Sequence, residues 1–109
     1  MRVELSDTAK LDLQHIGAHY AVVGGAALAH RMVGNIKKDV LALANNPFLA
    51  PSYELFPGLR RLVVAKGLFL AFYRVNTGQE GMERARIEVV HVRRAERELY
   101  QAGAPDSWN

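Results

Sequence analysis

Apolar and charged residues alternate at the start of the chain, with Met1, Val3 and Leu5 set against Arg2 and Glu4. A period of two predicts a short half-buried strand at or near a sheet edge. Ser6 or Asp7 follows as a helix cap, because either side chain accepts from a free first-turn N–H and Asp7 also complements the helix dipole. Ala9, Leu13, Ile16 and Tyr20 then recur at spacings of four, three and four, the stripe of an amphipathic helix. Gly24-Gly25 interrupts it through backbone freedom that a helix interior penalises. Leu28, Met32, Ile36, Val40 and Leu43 form a second stripe that stops at Asn45-Asn46-Pro47. Two consecutive stripes around a glycine pair predict a helical hairpin.

Residues 46–58 hold three of the four prolines, which predicts a loop across the surface. The pattern then changes to short runs rich in Val, Leu, Ile, Phe and Tyr: Leu59 to Ala65, Leu68 to Val75 and Ala85 to Val92. These read as three strands, the first two joined by a tight turn at Lys66-Gly67. The second is apolar on both faces and belongs in the sheet centre. Asn76 to Arg84, with Gly78 and Gly81, is long for a hairpin and expected to be mobile. After Val92 the run Arg-Arg-Ala-Glu-Arg-Glu-Leu-Tyr reads as a short helix or extended tail, and residues 103–109 as a flexible end. The order is βααβββ in one domain over residues 1–109. The class is α+β, with the helical hairpin on one face of a small, mainly antiparallel sheet and the other face left open.

Composition narrows the function classes. Half of the 109 residues are apolar and 23% are charged, as in ordinary globular domains. The absence of cysteine excludes a disulfide scaffold, a zinc ribbon and a thiol nucleophile. The longest apolar run, Leu62 to Val75, is broken by Lys66 and Arg74 and falls short of the ~20 residues that span a bilayer. No apolar segment of the signal-peptide kind follows Met1, so a cytoplasmic location and no membrane partner are expected. The net charge of +3 hides an asymmetry. Residues 1–57 carry five basic and five acidic side chains, whereas Gly58 to Arg97 carries nine basic ones, eight of them arginine, against four glutamates. Guanidinium groups suit phosphate and carboxylate, so the C-terminal half is expected to face an anionic partner.

The chain resembles the RelE/ParE superfamily of toxins from type II toxin–antitoxin modules. The resemblance runs from Val3 to about Tyr100. It rests on Ala9, Asp12-Leu13 and Ile16 of the first helix, the Asn46-Pro47 turn, Glu54-Leu55 and the block Pro57-Gly58-Leu59-Arg60-Arg61. The strand Phe72-Tyr73-Arg74-Val75 and the stretch Ile87 to Glu98 complete it. It implies a small protein that arrests growth when free, used in plasmid stabilisation, and is neutralised by a cognate antitoxin in a hetero-oligomer. ParE-like members poison DNA gyrase; RelE-like members cut messenger RNA in the ribosomal A site. The fold alone does not choose between them.

Metal-free RNA cleavage needs a base for a 2′-hydroxyl, an acid for the leaving oxygen and fixed positive charge on the phosphate. Candidates are Glu54 or His91 for proton transfer, Arg61, Arg93, Arg94 or Arg97 for phosphate, and Tyr100 for stacking. Each has a plainer reading: Glu54 as a solvated carboxylate, Arg61 as a surface cation, His91 as a structural histidine, Tyr73 as core. RelE-like nucleases place an arginine in the central strand where this chain has Leu70, and lysines where it has Arg61 and Val63. The ending resembles both branches: Arg97-Glu98 stands where ParE-like chains end on Arg-Asp, while Glu96-Arg97 followed by Tyr100 is similar to the RelE-like tail with one extra residue, and Arg94 stands where ParE-like chains often have histidine. The Pro57 to Arg61 block and Tyr73-Arg74-Val75 look more ParE-like. A ParE-like gyrase inhibitor is therefore favoured, with no catalytic residues of its own. A RelE-like endoribonuclease is the alternative, and a non-toxic antitoxin-binding module the third reading. Arg60, Arg61, Arg74, Arg93, Arg94 and Arg97 are the expected contacts to target or antitoxin. No cofactor or metal is expected, since His15 and His19, four apart on the first helix, lack a third ligand and read as a solvated face. Trp108 carries no assignment.

Overall fold

The structure is a computed structural model and describes residues 1–78 and 84–96. Arg97, Tyr100, Trp108, the expected flexible end and the middle of the 76–84 connection lie outside the described residues. The elements are β1 (Arg2–Leu5), α1 (Asp7–Gly24), α2 (Ala26–Leu41), β2 (Arg60–Val64), β3 (Phe69–Asn76) and β4 (Arg86–Arg94). Their order is the expected βααβββ, and the class is α+β. No helix among the described residues is long and apolar enough to cross a membrane.

Ser6 is the cap of α1, its hydroxyl accepting the Ala9 N–H at 2.9 Å. The break in the hairpin falls on Gly25 alone, whose φ of +91° suits only a residue without Cβ, while Gly24 still closes α1. Beyond α2 a 3-10 turn over Ala42–Asn45 buries Leu43. The two helices pack on each other and cover one side of the sheet. Ala9, Leu13, Ile36 and Val40 meet Phe69, Ala71, Tyr73, Ile87 and Val89 there in one core. Burying a side chain such as Ile36 or Phe69 stabilises by about 1.5–3 kcal/mol relative to exposure.

The sheet order is β1-β4-β3-β2, with β1 parallel to β4 and the other pairs antiparallel. β1 thus sits at an edge and the apolar β3 at the centre, as their patterns predict. β2 and β3 are joined by Ala65–Gly67, where Ala65, Lys66 and Gly67 have φ of 52°, 56° and 91°. Two non-glycine residues in the left-handed region are costly. The Asp39 carboxylate of α2 offsets that cost by accepting the Ala65 N–H at 2.8 Å.

Two expectations need correction. First, Arg93 and Arg94 are not in a helix or tail: β4 runs two residues past Val92 and pairs them with Leu70 and Phe69. Sheet pairing overrides the weak strand preference of a charged pair. Second, although the sheet is open, the face turned from the helices is not bare. The proline-rich segment folds back on it, burying Tyr53 and Leu59 with Leu70 and Phe72 in a second small cluster. The Tyr53 and Phe72 rings lie 5.1 Å apart. Backbone bonds from Arg61 N–H to the Pro51 carbonyl and from Tyr53 N–H to the Leu59 carbonyl hold this segment against the free edge of β2.

Candidate functional site

Strand register sorts the arginines. Leu70, Phe72 and Arg74 alternate onto the face of β3 turned from the helices, and their cross-strand partners include Arg93, Arg61 and Glu88. Arg61, Arg74 and Arg93 therefore share that face. The Arg61 guanidinium stands 5.4 Å from the centre of the Tyr53 ring, within cation–π range. Arg74 Nε lies 3.3 Å from a Glu88 oxygen. Arg60 occupies the other register: it stands opposite Tyr73, donates to the Ala50 carbonyl at 2.7 Å and covers the Phe48 ring at 4.8 Å. It fastens the proline-rich segment rather than extending the cationic face.

The distal end of β4 is held by α1. A β-bulge falls at Val90, where Phe72 opposes His91 but Tyr73 opposes Val89. β1 stops at Leu5, so the edge of β4 beyond Val89 needs other partners. Ser6 supplies two: its N–H donates to the Val89 carbonyl at 2.9 Å and its hydroxyl to the Val90 carbonyl at 2.8 Å. Asp12 supplies the next, its Oδ2 accepting the Val92 N–H at 2.9 Å with His91 Nδ1 at 3.5 Å. One helix turn and one carboxylate thus fix the strand segment that carries Arg93 and Arg94.

Beside this clamp a cleft of about 300 Å³ opens between α1 and the strands. α1 contributes Asp12, His15, Ile16, His19 and Tyr20. Phe69 of β3 and Val92, Arg93 and Arg94 of β4 close the other side. His15, His19 and Arg94 are exposed, and Tyr20 is half-buried, its ring edge-on to both His19 and Phe69.

The candidate residues for RNA cleavage fall at several places. Glu54 is exposed on the proline-rich segment, Arg61 sits against Tyr53, and His91 is engaged with Asp12. Arg94 pairs with Phe69, on the opposite side of the sheet from Leu70 and Phe72. Leu70, standing where a RelE-like enzyme would have an arginine, is 6% exposed and packed in the cluster with Tyr53 and Leu59. The linear pattern does not reveal Asp12 as the strand clamp, nor that His15, His19 and Arg94 line one cleft. The i, i+4 spacing of the histidines was the available signal for the second. Among the described residues no group of three His, Cys, Asp or Glu side chains is placed to hold a metal ion.

Comparison with known proteins decides the family. Residues 3–99 match the family model described as the ParE toxin of the type II toxin–antitoxin system parDE. The chain belongs to the ParE toxin family. Among solved structures it is similar to a chain described as the chromosomal ParDE toxin–antitoxin system from P. aeruginosa. The two share 25% identity with a TM-score of 0.71, covering 86% of this chain and 95% of that one. No curated protein matches. Membership of the ParE family agrees with the Pro57 to Arg61 block and with the central-strand leucine. In this member that block does two things: Leu59 enters the second cluster, and Arg60 and Arg61 diverge, one inward to Ala50 and one outward over Tyr53.

Proposed function

We propose that this ParE-family protein is a growth-arresting toxin that inhibits DNA gyrase and is neutralised by a cognate antitoxin. The observation that carries the reading is the ParE match over residues 3–99. The site chemistry supports it from another side. A nuclease of this fold must stabilise negative charge building on a phosphate, and a buried Leu70 beneath Tyr53 offers none. Arg74 is neutralised in part by Glu88, and His91 by its place against Asp12 is a fixture of β4. What remains on the outer face is a recognition surface, with Arg61 cationic and Val63 60% exposed beside it. Such a mixture suits a protein partner with acidic and apolar side chains.

Arg61 and Arg93 are the positions where antitoxin carboxylates are expected, whereas reversal at Arg60 would disturb the proline-rich segment instead. The test is induction of the chain alone and with its antitoxin. Alone it should lower colony counts and leave plasmid relaxed, with no codon-phased breaks in translated messages by primer extension; the antitoxin should restore both. Codon-phased breaks with normally supercoiled plasmid would favour the nuclease, and unchanged colony counts a non-toxic binding module.

A further inference from the structure

The cleft between α1 and β4 lies on the helix side of the sheet, away from Arg61 and Arg74 and bordered by Arg93 at the strand end, and the gyrase reading does not use it. We propose that it is a binding site for a nucleotide, taking a terminal phosphate at its rim and the attached base against its apolar wall.

The rim carries the charge. Arg94 is exposed and forms no ion pair with any described residue. His15 and His19 project from successive turns of α1 into the same opening, and Arg93 flanks it. A guanidinium fork with imidazole donors around it fits a phosphate monoester, which presents three oxygens and close to two negative charges. A carboxylate, with two oxygens and one charge, would use fewer of these donors. The wall is apolar: Ile16, Val92 and the Tyr20 ring, backed by Phe69. A volume of about 300 Å³ admits one compact ligand rather than a length of peptide. Asp12 adds direction. Its carboxylate is fixed by the Val92 N–H and lines the cleft, where it repels a second anionic group but accepts from a sugar hydroxyl or a base amine. The ligand is therefore anionic at one end only, which a nucleoside monophosphate is and a run of acidic residues is not.

The test is calorimetric titration of the full chain with adenosine monophosphate, adenosine, inorganic phosphate and an acidic peptide. Short oligonucleotides with and without a terminal phosphate complete the set. The monophosphate should bind at one saturable site, more tightly than phosphate alone, and adenosine should not register. Arg94→Ala should weaken it by about tenfold or more, the scale of a lost charge-assisted contact, with Arg31→Ala on α2 as an inert charge control. Both variants change exposed side chains, and matching thermal melts would show that each folds. Binding of the phosphorylated oligonucleotide but not its unphosphorylated form would assign the site to a strand end; binding of the mononucleotide alone would assign it to a free nucleotide, and either upholds the proposal. It is overturned if the monophosphate does not bind, if phosphate alone binds as well, if Arg94→Ala changes nothing, or if the acidic peptide outcompetes the nucleotide.

Discussion

The Tyr73 side chain is fully buried, and its hydroxyl ties together residues 26 and 23 positions away by donating to the Pro47 carbonyl at 2.8 Å and accepting the Ala50 N–H at 3.3 Å. Tyr73→Phe keeps the ring and leaves the buried Ala50 N–H and the part-buried Pro47 carbonyl short of a partner, so a loss of about 1–3 kcal/mol is expected in urea unfolding. Asp12 gives a sharper comparison. Asp12→Ala removes the acceptor for the Val92 N–H and should cost about 2 kcal/mol, while Asp12→Asn retains an amide oxygen and should cost distinctly less. Equal losses from the two would mean that the carboxylate charge, not the strand bond, is what counts there. The ring of Tyr73 was legible from its apolar strand. Its hydroxyl contacts were not, because nothing in a linear pattern says which distant carbonyl a phenol will meet. Asp12 was visible only as part of a family pattern, for its partner Val92 is 80 residues away.

At the scale of elements, local signals were reliable where one segment decides its own conformation. The Ser6 cap, the Gly25 break, the apolar β3 and the turn at Lys66-Gly67 all depend on neighbours in sequence. The end of β4 depends on tertiary partners instead. Two arginines after Val92 look like the end of a strand, yet the edge left by the short β1, filled by Ser6 and Asp12, carries the ladder on to Arg94. The proline-rich segment likewise looked like surface loop because prolines and glycines mark turns. Its burial follows from Tyr53 and Leu59 finding the apolar residues that β3 presents outward. The β2–β3 turn, though signalled by its own residues, also has a distant support in Asp39, and the two contributions can be tested separately. Asp39→Ala removes the acceptor for Ala65 in a left-handed turn and should lower stability by about 1–3 kcal/mol. Lys66→Gly, at φ 56°, should raise stability by a fraction of that through relief of backbone strain, read as a higher urea midpoint with unchanged slope. A lower midpoint for Lys66→Gly would mean that the lysine side chain supports the turn.

For the whole molecule, the division of charge along the sequence becomes a division in space, though not a single basic sheet face. The five described arginines expected to meet a partner split three ways: Arg61, Arg74 and Arg93 outward, Arg60 into the proline-rich segment, and Arg94 beside the α1 cleft, while Arg86 pairs with Glu4 at the β1 edge. Composition could count them but could not sort them, since sorting depends on register and on one bulge. An exposed cation such as Arg61 should act mainly on encounter with an acidic partner, so Arg61→Glu is expected to slow antitoxin association and to flatten its salt dependence. Association kinetics at low and high ionic strength would check this, and a change confined to dissociation would argue for a buried contact instead. The central claim, a ParE-family toxin directed at gyrase and not at RNA, is most directly tested with purified protein in a DNA supercoiling reaction. Added free of antitoxin, it should block supercoiling or trap cleaved DNA, and antitoxin should reverse the effect. Undisturbed supercoiling at any toxin concentration, with codon-phased cleavage of message on purified ribosomes, would contradict the account.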